Sequence, residues 1–168
     1  MALNDIMKNM NLFVDGFGYA GNVEELVPPK LTMKMEEMRN GGMDAPIDIE
    51  MGMEKLEAEF MLTKYDANVL SLFGLAPGNN IAVTFRASLS SEDSIETAVA
   101  VQMRGVLKEM DSGTWKPGDK MTLKMMLSLR YYKHTIGFRV VHEIDIPNMI
   151  RIVNGIDQLA LTRRNIGL

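Results

Sequence analysis

The stretch MTLKMMLSLRYYKHTIGFRVVHEIDIP, Met121 to Pro147, decides the fold. Met121, Leu123, Met125, Leu127, Leu129 and Tyr131 alternate with Thr122, Lys124, Met126, Ser128, Arg130 and Tyr132. A period of two residues is that of a strand with one face in a core, and this run is expected to be the longest strand of the chain. Gly137-Phe138 suits a two-residue type II′ turn, because only its first position needs a positive φ. The chain then returns through Val140, His142, Ile144 and Ile146, and Pro147, which has no N–H to donate, is expected to end the ladder.

The same period extends toward the N-terminus. Ile81, Val83, Phe85, Ala87 and Leu89 alternate, Ser90–Ser94 reads as a polar loop, and Ile95, Thr97, Val99, Val101 and Met103 keep strand phase as far as Gly105, a plausible bulge. Val106–Met110 extends that strand or begins another. Asn11–Val14 and Tyr19–Val23 flank Asp15-Gly16-Phe17-Gly18 as an opening hairpin. Leu31, Met33 and Met35 alternate until Arg39-Asn40-Gly41-Gly42, where adjacent glycines predict a flexible loop. Ile47, Ile49, Met51 and Met53 alternate next, after which the apolar phase jumps to Leu56, Ala58, Phe60 and Leu62. Such a jump marks a bulge at Met53–Lys55 or a boundary between an extended loop and a true strand. One helix signal interrupts the pattern: in YDANVLSLFGL, Asp66 can cap, Val69, Leu70 and Phe73 share a face, and Gly74 suits the stop.

Seven to nine strands with local hairpins and no second core predict a mainly β, single-domain antiparallel sandwich or barrel with a short middle helix. A C-terminal arm from 147 to 168 stands apart. Ile150, Val153, Ile156, Leu159, Leu161, Ile166 and Leu168 are more than a frayed terminus needs.

Composition narrows the function. The 168 residues carry no cysteine, which removes disulfides, thiolate metal sites and a cysteine nucleophile. A net charge of -4 argues against a reader of nucleic acid, and the acids concentrate between Glu36 and Glu59. No apolar run is long enough to span a membrane, and MALNDIMKNM lacks the pattern of a secretory signal, so neither membrane insertion nor Sec export is expected. Sixteen methionines suit irregular cores and deformable contact surfaces.

Signatures of catalysis fail one by one. GTWKPGDKMT, Gly113–Thr122, resembles a phosphate loop but places Asp119 where a phosphate would lie and opens a strand rather than a helix. His134 and His142, with Glu143 and Asp145 nearby, lack the HExxH or HxH spacing of a metal or acid-base site. No GxSxG or SxxK places an activated serine, and the acidic run lacks the spacing of a calcium loop. No enzyme, cofactor or metal is expected.

Four segments point elsewhere: MNLFVDGFGYAG, GGMDAPIDIEMG, MRGVLKEMDSGTWKPGDK and the ending EIDIPNMIRIVNGIDQLALTRRNIGL. Together they resemble the major tail tube proteins of contractile-tailed bacteriophages and the related R-type bacteriocins, over essentially the whole chain. The Gly137-Phe138 turn departs from the Asp-Gly expected in such relatives. The resemblance implies a structural protein of the virion tail or bacteriocin particle, assembled in the host cytoplasm. Six copies would form a ring closing a common β-barrel, and rings would stack into the inner tube through which a genome is delivered or a membrane punctured. Partners would be further copies of the chain, a tail sheath protein, a tape measure protein and a baseplate hub, with DNA passing without tight binding. A terminator or hub-like adaptor that stops at a single ring is the alternative. On this reading residues 36–55 form an extended loop between rings. Gly41, Gly42, Met43, Met51, Met53, Ile150, Val153, Ile156, Leu159, Ile166 and Leu168 are expected at subunit contacts, and Asp48, Glu50, Glu57 and Glu59 are candidates for lumen charge.

Overall fold

The computed structural model describes residues 5–91 and 95–168, so part of the expected Ser90–Ser94 loop lies outside the described residues. The chain is mainly β and antiparallel. In order it forms β1 (Ile6–Val14), β2 (Phe17–Gly18), β3 (Val23–Val27), β4 (Met33–Met38), β5 (Ile47–Met53), β6 (Glu57–Leu62), α1 (Ala67–Leu70), β7 (Ile81–Ser90) and β8 (Glu96–Asp111). β9 (Leu123–Ile136), β10 (Arg139–Asp145), β11 (Ile150–Val153), β12 (Ile156–Asp157) and α2 (Ala160–Ile166) follow. The strands outnumber the expectation because β2, β11 and β12 are too short to show a period.

A ten-stranded sheet runs β12-β11-β10-β9-β8-β7-β1-β2, and β6 joins it on β9 and carries β3. The sheet does not close on itself. β9 has neighbours of two kinds: its first half pairs with β6 and its second half with β10, while β8 follows it along both halves. That fork turns β3 and β6 to face β1, β7 and β8. Leu12, Val14, Phe60, Leu62, Val83, Phe85, Met103, Leu123 and Met125 fill the space between as one core. A fully buried leucine or phenylalanine contributes about 1.5–3 kcal/mol over its exposed state.

Bulges set which face each long strand presents. Arg104 pairs with Tyr131 and Gly105 with Leu129, leaving Arg130 as the extra residue on β9. The core phase therefore moves from Leu123, Met125, Leu127 and Leu129 to Tyr132, correcting the unbroken alternation expected through Tyr131. Gly105 is needed because a Cβ there would lie 2.1 Å from the Ser128 carbonyl oxygen. A second bulge leaves Lys108 unpaired between Leu107 and Glu109. β8, with 16 residues, is longer than β9 with 14, so the longest strand is not the one expected.

Local chemistry explains the turns. Gly137 at φ +59 opens the two-residue turn between β9 and β10, and Phe138 keeps a negative φ, as type II′ requires. Asp15 and Gly16 both have positive φ and turn β1 into β2; the Tyr19 N–H adds one more rung, to the Leu12 carbonyl at 2.8 Å, before the chain leaves and β3 crosses to β6. Asp66 caps α1, accepting from the Asn68 N–H at 3.1 Å and from the Tyr19 hydroxyl at 2.8 Å, and these bonds hold its carboxyl below the usual range. α1 stops at Ser71, before Gly74, and Phe73 stays exposed. Pro147 ends β10 but not the ladder, because a turn over Ile146–Met149 returns the chain as β11, which pairs with β10.

Candidate functional site

The residues expected at subunit contacts lie on two elements, the β4–β5 hairpin and the C-terminal arm. The segment expected as an extended loop contains an antiparallel hairpin, bulged opposite Met33–Met35, that forms its own two-stranded sheet. The phase jump at Met53–Lys55 is the boundary between this hairpin and β6. Gly41 and Gly42 lie exposed in its turn, where Gly42 takes φ +91, and Met43 is half-buried beside them. Met51 is 54% exposed, whereas Met53 packs against the core at the hairpin's root. Met35, Met38 and Ile47 are about half exposed as well, so the described residues leave the hairpin's apolar side chains partly uncovered.

The arm is organised by polar ties and leaves its apolar side chains outward. Asn154 and Gly155, at φ +53 and +83, form the turn between β11 and β12, and the Arg139 guanidinium donates to the Asn154 side-chain oxygen. The Asp157 carboxylate accepts from the Arg163 guanidinium at 2.5 Å and from the Leu159 N–H at 3.0 Å, and these bonds hold it below the usual range. Arg163 also donates to the Met149 carbonyl at 2.7 Å, which fixes α2 across the β10–β11 turn. Ile150 and Leu159 are half-buried, and Val153 lies at the edge of exposure. Ile156 is 65%, Ile166 59% and Leu168 77% exposed, and α2 has no buried residue.

The candidate lumen acids fall on two separate sheets. Asp48 and Glu50 lie on the hairpin, and Glu57 and Glu59 on the outward face of β6. Glu50 pairs with Arg151 at 2.7 Å, and Glu59 with Lys124 at 2.6 Å. Glu57 takes both Lys108 and Lys55 at 2.8 Å, and hydrogen bonds from these lysines lower its carboxyl to about 2. Among the described residues, Asp48 is the candidate left without an ion pair.

Other features carried no sequence signal. An apolar groove of about 430 Å³ opens between Met7, Met10, Leu26, Leu89 and Tyr132, brought together from strands distant in sequence. His134 and His142 are direct cross-strand neighbours on its border, on the opposite strand face from Glu143, whose carboxylate accepts from the Tyr131 hydroxyl at 2.9 Å. Burial, and then His142, lowers the His134 imidazole below its ordinary value. Among the described residues no three His, Asp or Glu side chains converge on a metal position, and no helix is long and apolar enough to cross a membrane. The Asn-Gly pair at 154–155, flanked by Ile152, Val153 and Ile156, is the one signal that sequence reasoning could have used to find the β11–β12 hairpin.

The sheet is open and antiparallel, and the hairpin and arm display apolar side chains. Residues 4–167 match the family model of the phage tail tube protein FII. The chain belongs to the phage tail tube protein family. It is 37% identical to the tail tube protein of Escherichia phage P2 over all of both chains. It is 26% identical to the major tail tube protein of Serratia phage KSP20, over 89% of this chain and 88% of that one. A chain of the cryo-EM baseplate of the anti-feeding prophage shares 14% identity at a TM-score of 0.46, over 80% of this chain and 97% of that chain, too distant to bear on assembly. Tail tube proteins are structural components of the virion tail, and the features described above are those of a structural subunit.

Proposed function

We propose that this chain assembles into six-membered rings that stack head to tail as the inner tube of a contractile tail, the conduit for genome delivery or membrane puncture. The observation that carries the reading is the unfinished sheet: it ends in free strand edges while Ile156, Ile166 and Leu168 stand in solvent. Free edges invite pairing with other chains, and closure in a ring removes them. A heterologous contact closes a ring when its rotation divides the circle, and axial stacking then leaves an open polymer. The contacts proposed to hold it are the hairpin, through Gly41, Gly42, Met43, Met51 and Met53, and the arm, through Ile150, Val153, Ile156, Leu159, Ile166 and Leu168. Sheath, tape measure protein and baseplate hub are the remaining proposed partners.

The lumen wall proposed here is the polar face of β3, β6 and the adjoining halves of β8 and β9. Register places Glu25, Glu57, Glu59, Glu109 and Asp111 on this face with Lys108 and Lys124. Acids outnumber lysines, and an acidic wall lets DNA slide because tight binding requires cations. Electron microscopy of the purified protein at rising concentration tests the assembly reading. Stacked rings are expected; rings that never stack would favour a single-ring adaptor, and a persistent monomer would sink the proposal.

A further inference from the structure

Two charged features of this molecule have no ion-pair partners among the described residues. On the hairpin, Glu37 stands directly opposite Asp48, and Met35 opposite Glu50, so these side chains share one face. Glu50 is answered by Arg151. Glu37 and Asp48 have no cation among the described residues, although like charges directly opposite one another destabilise a ladder. At the other feature, the β9 bulge aims Arg130 into a polar cleft of about 550 Å³ that Arg104, Tyr131, Asn80, Asp145 and Asn148 also line. The Arg104 guanidinium lies 4.4 Å above the Tyr131 ring, a stacking that holds it in place. Neither arginine forms an ion pair among the described residues. The Asp145 carboxylate in the same cleft is occupied by Asn148, whose backbone and side-chain nitrogens donate to it at 3.1 and 2.8 Å.

The hairpin cannot serve its own cleft. Arg151, which anchors it, lies opposite the buried Ile144, whereas Asp145 and Tyr131 occupy the other face of the same sheet. Hairpin root and cleft are therefore on opposite sides of one layer. A pair of carboxylates and a pair of guanidiniums, each solvent-exposed, are complementary in number, and with Asp145 in the lining the cleft keeps one net positive charge.

We propose that the Arg104–Arg130 cleft of one copy receives the Glu37–Asp48 pair from the hairpin of a copy in the next ring, an inference that rests on the stacked-ring reading. Guanidinium and carboxylate meet in forked, charge-assisted hydrogen bonds that fix rotation as well as distance. The contact is heterologous, so each ring presents hairpins on one side and clefts on the other, and it propagates without limit.

A charge swap tests it, read by sedimentation and electron microscopy of the full chain at matched concentrations. Arg104→Glu with Arg130→Glu, and separately Glu37→Lys with Asp48→Lys, should each raise the concentration needed for stacking tenfold or more while leaving rings intact. Arg104→Gln with Arg130→Gln gives a milder cleft variant, and circular dichroism confirms that each protein is folded. Mixing the two reversed variants, or combining all four changes in one chain, should restore stacking. Variants that stack like wild type overturn the inference, as does loss of the rings themselves or failure of the swap to rescue. Absence of stacking in the wild type overturns both this inference and the reading beneath it.

Discussion

Deleting Asn154–Leu168 should leave a folded subunit that no longer assembles. The buried core ends at Ile144, and the removed segment contributes no side chain to it. What the deletion discards is exposed apolar surface: Ile156, Leu161, Ile166 and Leu168 each keep more than half of their area in water. Full burial of such a side chain contributes about 1.5–3 kcal/mol, so completing the burial of each at a subunit contact would contribute about 1–2 kcal/mol. The sum, about 4–8 kcal/mol before the entropic cost of association, is on the order of three to six decades in an equilibrium constant. The subunit itself loses the two register pairs between β11 and β12, the Arg163 bonds to Asp157 and the Met149 carbonyl, the Arg139–Asn154 bond, and backbone bonds from Asn154 and Gln158 to Val141 and Arg151, none of which reaches the core cluster. Urea unfolding of the truncated and complete chains at concentrations below assembly should therefore give midpoints close together, while sedimentation shows polymer only for the complete chain. Tubes of normal length from the truncated protein would refute the reasoning, and so would a truncated chain that fails to fold.

Gly105→Ala should destabilise the subunit by about 3 kcal/mol or more, since the new methyl meets backbone that cannot turn aside; urea unfolding beside Val106→Ala as a control reads it. Amide exchange over residues 36–55 should be fast in the monomer and slow in the tube, because the hairpin's ladder stands in solvent until a neighbour covers it; equal protection in both would contradict this. His134 is lowered in the folded state, so its contribution is complete above the unfolded value of about 6.5 and is lost as pH falls through the folded value. Stability of wild type should fall between pH 7 and 5, and His134→Gln should flatten that slope. Replacing Glu25, Glu109 and Asp111 by lysine should slow DNA ejection most at low salt, where screening is weakest, and an unchanged rate at every salt concentration would remove the electrostatic account of the lumen.

The strands around the core were legible because each buries one face. Phe60, Val83, Met103 and Leu123 stand in strict alternation with solvent-facing neighbours, and burial is what a period of two records. Local patterns failed where tertiary geometry decides. Nothing in LSLRYYKH distinguishes a continuous strand from one with Arg130 left out of register, since the bulge exists to bring Tyr132 into the core beyond Gly105. The pairing of β3 with β6 was equally hidden, because DGFGYAG carries a strong hairpin signal that is satisfied by only two residue pairs and the Tyr19 rung before the chain leaves. In the candidate site, Glu50 and Glu59 read as free acids because their partners Arg151 and Lys124 lie far away in sequence, as does Lys108, the partner Glu57 has besides Lys55. Long-range ion pairs leave no periodic trace.

Those pairs bear on how such a subunit avoids premature association. A chain with free edges and exposed methionines risks indiscriminate pairing, and natural sheets counter that risk with charge at their margins. Here Glu24 with Lys120 lies on the edge strand β3, and Lys55 with Glu57 marks the start of β6, before its pairing with β3 begins. Exposed pairs of this kind contribute little to stability, so their effect is on specificity: a wrong neighbour must strip water from charges that gain nothing in return. The hairpin differs, because Glu37 and Asp48 repel one another until a cation arrives. In the proposed assembly, apolar surface on the arm would supply affinity without direction, whereas the unbalanced carboxylates would supply direction with little affinity. With both on separate elements, a subunit in the proposed stack would discriminate its own successor from other apolar surfaces, as polymerisation along a single axis requires.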